Sequence, residues 1–152
     1  MQFMSRILLV EDDTTIREGI QNFLTDNNYL VEAVGDGAAA IDSVKKHYPD
    51  LVILDLGLPK ITGESVCREI KKMYPDLLVI ILTAKNQTAD VLNGFKLGAD
   101  DYIGKPFELE ELMARISARL KNELNNKIVI DNLSLDPQSI IVTRGGKELK
   151  KF

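Results

Sequence analysis

The chain has 152 residues, 19 Lys or Arg against 23 Asp or Glu, and a net charge of -4, with 45% hydrophobic and 28% charged residues. That length suits one domain, or one domain and a fragment of a second, and the composition is that of an ordinary soluble globular protein. The acidic balance argues against a chain built to coat nucleic acid. The longest apolar run, 77–82, is six residues, far short of the roughly 20 a membrane span needs. Residues 1–6 carry no secretory pattern, and the single Cys67 cannot form an internal disulfide, so a cytoplasmic setting is expected.

In chain order, short apolar runs alternate with helical patterns. Residues 7–10 read as a first strand, followed by a helix whose Ile16, Ile20, Phe23 and Leu24 share one face. Residues 29–34 read as a second strand, and Asp36 as the N-cap of a helix holding Ala40, Ile41 and Val44. A third strand over 51–54 leads to a helix capped by Thr62 and running through Val66, Ile70 and Met73. A fourth strand over 77–82 precedes a helix carrying Val91, Leu92, Phe95 and Leu97. A weaker fifth run, 102–103, precedes a clear helix through Leu109, Leu112, Met113, Ile116 and Leu120.

Five β–α units of this kind predict an α/β fold with a parallel sheet and helices on both faces, because parallel strands need right-handed crossovers. A boundary is expected near residue 124. Residues 125–152 hold five basic against three acidic side chains, a net +2, which leaves -6 for 1–124. Short β-type runs follow at 128–130, 133–135 and 140–143, with a turn at Gly145 and Gly146.

In an open parallel sheet, function sits at the carboxyl ends of the strands. Strand one runs into Glu11, Asp12 and Asp13, strand three into Asp55, strand four into Thr83 and Ala84, and strand five into Lys105 and Pro106. Carboxylates gathered on one rim resist joint ionisation unless a cation sits among them. Hard oxygen ligands suit Mg²⁺, which keeps waters for a phosphate ligand. A lysine on the same rim supplies a point charge for a phosphoryl oxygen. The chemistry this pattern predicts is metal-assisted phosphoryl transfer to a carboxylate, with Asp55 as nucleophile.

The stretches Ile7-Leu-Leu-Val-Glu-Asp-Asp13, Leu54-Asp-Leu-Gly-Leu-Pro59, Leu82-Thr-Ala84 and Gly98-Ala-Asp-Asp-Tyr-Ile-Gly-Lys-Pro-Phe107 resemble the receiver domain of two-component response regulators. The resemblance covers residues 5–122 and implies a flavodoxin-like, CheY-like doubly wound sheet of order 2-1-3-4-5. It implies that Asp55 accepts a phosphoryl group from a sensor histidine kinase. Mg²⁺ is implied on Asp12, Glu11, Asp55 and the backbone carbonyl of Gly57, with Asp13 a helix cap. Lys105, Thr83, Ala84 and Tyr102 correspond to the phosphate-binding and switch positions, and Pro106 to a cis-proline.

The run from Asp100 to Arg115 is similar to the OmpR/PhoB-type subfamily, which joins a receiver to a winged-helix DNA-binding domain. Residues 123–126 are then a linker, and 127–152 the opening β-strands of a winged-helix domain cut off before its recognition helix, so that this chain alone would not read DNA. The resemblance also implies a homodimer on phosphorylation, through the fourth helix, fifth strand and fifth helix, with Asp100, Asp101, Glu111 and Arg115 at its interface. Val91 stands where the subfamily carries a base, which removes one expected partner of Glu111. Gly57 and Lys85 depart from the pattern at positions lining the approach of water. The expected protein is a signalling phospho-acceptor with self-catalysed phosphotransfer and no small-molecule substrate.

Rival readings are weaker. A phosphatase of the haloacid dehalogenase type needs a second Asp two residues past the nucleophile, where this chain has Gly57. A flavin carrier would place hydroxyl and glycine residues where Glu11, Asp12 and Asp13 stand. A receiver that signals by protein contacts alone is the third alternative. His47 reads as a surface residue, Cys67 as a small core residue, and Lys45, Lys46, Lys71 and Lys72 as solvated faces.

Overall fold

A computed structural model of the chain describes residues 4–84 and 97–135. Five parallel strands form one sheet of order β2-β1-β3-β4-β5: β1 (Arg6–Val10), β2 (Leu30–Val34), β3 (Leu51–Asp55), β4 (Leu78–Thr83) and β5 (Asp101–Gly104). The described helices are α1 (Thr14–Asp26), α2 (Gly37–Lys46), α3 (Gly63–Met73) and α4 (Leu109–Leu135). The expected helix carrying Val91, Leu92 and Phe95 lies outside the described residues, as does Lys85. Among the described residues no helix is long and apolar enough to cross a membrane.

The central strands are apolar on both faces, as a sheet covered on both sides demands. Side chains alternate across a strand. Leu8, Val10, Val52, Leu54, Val79 and Ile81 share a core with Ala40 and Val44 of α2 and Val66, Cys67 and Ile70 of α3. The alternate residues Ile7, Leu9, Ile53, Ile80 and Leu82 are equally buried, as are Ile20 and Leu24 of α1 and Leu112 and Ile116 of α4.

Three helices start at side-chain caps that satisfy otherwise orphaned N–H groups. The Asp13 carboxylate accepts from Ile16 N at 3.0 Å, Asp36 from Ala39 N at 2.8 Å, and the Thr62 hydroxyl from Ser65 N at 3.1 Å. Lys45 and Lys46 close α2, and Lys71 and Lys72 close α3, at the ends where the helix dipole favours cations.

The turn into α3 is tight. A Cβ on Gly63 would lie 2.5 Å from the Asp55 carbonyl oxygen and 2.5 Å from Leu56 Cα. Both are backbone atoms and cannot rotate away. Gly63→Ala should therefore cost about 3 kcal/mol, or roughly 10 °C in Tm. Thermal denaturation checks this, and an unchanged Tm would refute it.

Two expectations need correction. Residues 128–130 and 133–135, expected as strands, lie in α4, which runs to Leu135. The sequence has no Gly or Pro between 109 and 136, and extending a helix adds one hydrogen bond for each residue fixed. The run expected at 140–143 lies outside the described residues. Lys71 is not a solvated lysine either, since its Nζ lies 2.9 Å from Asp100 Oδ2 and its side chain is only 14% exposed.

Candidate functional site

Strand register builds the site. Val10 pairs with Leu54, Asp55 with Leu82, and Thr83 with Gly104. The residues that follow or end these strands, Glu11, Asp55, Thr83 and Lys105, therefore emerge side by side on one rim. Glu11, Asp55 and Thr83 are buried, and Asp12 is exposed.

Each of Glu11, Asp12 and Asp55 offers one carboxylate oxygen, all within 4.8 Å of one another. Lys105 Nζ lies 3.2 Å from Glu11 Oε1 and 3.5 Å from Asp55 Oδ2. The Lys105 N–H donates to the Thr83 carbonyl at 2.7 Å, and the Lys105–Pro106 bond is cis. Gly57 N donates to Asp55 Oδ1 at 3.1 Å, which fixes one oxygen of that carboxylate. A Cβ at Gly57 would lie 3.6 Å from the same oxygen, an ordinary contact.

The electrostatics follow from this crowding. Desolvation by burial pushes the Glu11 carboxyl up from its ordinary 4.5 to about 7, reinforced by the negative charge of Asp55 and opposed by the Asp13 N–H. The N–H of Asp13 reaches Glu11 Oε2 at 3.1 Å. For Lys105, desolvation favours the neutral amine, but the charges of Asp55 and Glu11 outweigh it and move the group up. Lys105 thus stays cationic between two carboxylates. The donor set is all oxygen and excess-negative, which fits a hard divalent cation such as Mg²⁺.

The chain matches the family model for the response regulator receiver domain over residues 7–117. It belongs to that family. It is 38% identical over 150 residues to response regulator MprA of Mycobacterium sp. (strain KMS), a match spanning 95% of this chain and 65% of MprA. It is 40% identical over 148 residues to response regulator ArlR of Staphylococcus aureus (strain Mu50 / ATCC 700699), spanning 97% of this chain and 67% of ArlR. This chain therefore spans about two thirds of the length of these relatives. Among solved structures it is similar to response regulator DrrB, a Thermotoga maritima OmpR/PhoB homolog, with a TM-score of 0.74 and 35% identity over 80% of this chain and 54% of that one. The parallel sheet of order 2-1-3-4-5 is the receiver fold.

The receiver's expected switch residues are both buried, Thr83 at the end of β4 and Tyr102 in β5. Tyr102 lies within the core cluster of the α2 and α3 side of the sheet. Ala84 follows Thr83 and is exposed. Of the expected interface residues, Asp101 and Arg115 meet within one chain at 2.8 Å, and Arg115 also reaches Glu111 at 3.3 Å. Asp100 is committed elsewhere. Its Oδ2 accepts from Val79 N and from Lys71 Nζ, both at 2.9 Å. It ties the turn before β5 to β4 and α3.

Arg17 was not among the expected site residues. Its Nη1 donates to the Glu11 carbonyl at 2.8 Å and approaches that of Asp12 at 3.4 Å. His47 caps α2 near Glu32, and Cys67 is fully buried in α3. Burial raises the Cys67 thiol to about 11, which leaves it inert.

Proposed function

We propose that this receiver is a phospho-acceptor whose Asp55 takes a phosphoryl group from the phosphohistidine of a sensor histidine kinase. The observation that carries this reading is the meeting of Asp55 with Glu11, Asp12 and Lys105 at the ends of β1, β3 and β5. A carboxylate oxygen of Asp55 attacks phosphorus as the phosphorus–nitrogen bond breaks, and the imidazole leaves with its electron pair. Gly57 N–H holds the carboxylate in orientation through Oδ1. Lys105, 3.5 Å from Oδ2, is within reach of an oxygen of the incoming group and offsets its charge. Bound among Glu11, Asp12, Asp55 and the Gly57 carbonyl, Mg²⁺ would supply neutralisation of the phosphoryl oxygens.

The output belongs to the face around β5 and α4. Phosphorylation draws Thr83 toward the phosphoryl group and holds Tyr102 in its buried position, biasing a two-state surface toward a homodimer. DNA is read by a winged-helix domain that follows the receiver, and the protein acts in the cytoplasm as a transcriptional regulator. Acetyl phosphate with Mg²⁺ should add one phosphoryl group by intact mass, removable by hydroxylamine as an acyl phosphate is. No addition, or a hydroxylamine-resistant one, would refute the reading.

Dimerisation gives a separate test. In one chain Arg115 is shared by Asp101 and Glu111, so an interface that exchanges these partners between copies gains register more than energy. Arg115→Ala should weaken the beryllofluoride-induced dimer by about tenfold and leave Asp55 labelling intact. Sedimentation decides this, and a dimer indifferent to Arg115→Ala would place the interface elsewhere.

A further inference from the structure

We propose that Arg17 is a positioning residue for the acidic pocket, setting its divalent-cation affinity by holding the backbone of Glu11 and Asp12. This rests on the metal-assisted reading above. The segment between β1 and α1 must present two consecutive acids on a sharp turn, and side-chain placement there follows the backbone. Glu11 N is tied to the Val34 carbonyl at 3.0 Å. Asp13 N is tied to Glu11 Oε2 at 3.1 Å, and Asp13 caps α1 through Ile16 N. The carbonyls of Glu11 and Asp12 both face one guanidinium nitrogen, at 2.8 and 3.4 Å. A charged donor makes the stronger kind of hydrogen bond and places a cation behind the turn that carries the acids. The backbone of Arg17 is itself locked to the Asp13 carbonyl at 2.9 Å, so the clasp closes on the same turn.

A second, independent feature makes room for the clasp. Gly35, in the turn after β2, lies against the guanidinium: a Cβ there would sit 3.0 Å from Arg17 Nη1 and 4.0 Å from the Glu11 carbonyl oxygen. Alanine at 35 would press the guanidinium off its short bond by a few tenths of an ångström without touching a carboxylate. Gly35 and Arg17 thus address the acidic pair from outside the cation's own ligand shell. Outer-shell groups of this kind typically change metal affinity by 10- to 100-fold.

The test is Mg²⁺ titration of the full chain by calorimetry, alongside urea denaturation of the metal-free protein. Arg17→Met, which keeps the stem and removes the donors, should raise the Mg²⁺ Kd by about tenfold. Arg17→Lys, which keeps a charged donor, should recover most of the loss. Phosphorylation of Arg17→Met should return toward the wild-type rate at saturating Mg²⁺, a split that general destabilisation would not produce. Wild-type Mg²⁺ affinity in Arg17→Met, even with lowered urea stability, would overturn the proposal. Should Arg17→Met fail to fold, Gly35→Ala decides: weakened Mg²⁺ binding supports the clasp and unchanged binding overturns it. Wild-type protein that binds Mg²⁺ but is not labelled would refute the phospho-acceptor reading alone. A labelled wild type with an unaltered Arg17→Met would refute the clasp alone.

Discussion

Asp55→Asn should incorporate no phosphoryl group under conditions that fully label the wild type. The amide keeps an oxygen able to accept from Gly57 N, which lies 3.1 Å from Oδ1 in the carboxylate, so the local fold survives the change. It loses the anionic oxygen that attacks phosphorus, and a neutral amide is too weak a nucleophile to replace it. The fold should not suffer. Asp55 is one of three carboxylates within 4.8 Å, and removing its charge relieves repulsion on Glu11 while Lys105 keeps Glu11 at 3.2 Å. Intact mass and a melting curve together separate lost chemistry from lost structure. Asp13→Asn is the matched control, because asparagine caps a helix as well as aspartate does. Equal labelling of Asp55→Asn and wild type would place the acceptor elsewhere.

The fold was legible because its two periodicities do not overlap. The runs around Leu8, Val52 and Ile80 are too short and too apolar to be amphipathic helices, and the strands formed where they stand. The rim followed from topology alone, since parallel strands send their successors to one edge. Asp36 and Thr62 were readable as caps because a short polar side chain before an apolar helical pattern has a local partner to satisfy.

Ile128, Val129 and Ile130 show the opposite case. A β-branched run favours a strand only when something pairs with it, and a helix already nucleated from Leu109 can be extended through it.

The residues that sequence reasoning missed act on backbone or over long separations. Arg17 bonds to carbonyl oxygens, which every residue has, so no residue type at position 11 or 12 announces it. Lys71 carries the pattern of a helix-end lysine, and nothing local signals that Asp100, 29 positions away, will seat its ammonium. Asp100 and Asp101 are adjacent and chemically alike, yet Asp100, in the turn before β5, bonds to Lys71 and Val79, while Asp101, the first residue of β5, pairs with Arg115. Motif reading treats such a pair as one feature, while the fold divides it between two roles.

Mg²⁺ should stabilise the wild-type chain, by an amount that grows as pH rises from about 5 to 8, and Asp12→Ala should abolish that gain. The sign comes from Glu11. Its carboxyl titrates near 7 in the folded chain against an ordinary 4.5, chiefly because burial disfavours the anion. Between those values the folded state holds more protons than the unfolded one, so metal-free stability falls as pH rises through this window and is fully retained below it. A divalent cation competes for the same oxygens as that proton. Its contribution is therefore small at pH 5 and full once Glu11 is ionised. With Mg²⁺ at 100 times its Kd the gain is about 2.7 kcal/mol, or roughly 8 °C in Tm. Asp12 is the exposed member of the trio and spends least on desolvation. Asp12→Ala removes one ligand and one like charge, so its metal-free Tm should equal or exceed the wild-type value while its response to Mg²⁺ disappears. Melting curves at matched ionic strength, with and without Mg²⁺ at pH 5, 6.5 and 8, check both statements. A Mg²⁺ response that is flat with pH would separate Glu11 from the site, and one that survives Asp12→Ala would separate Asp12 from it.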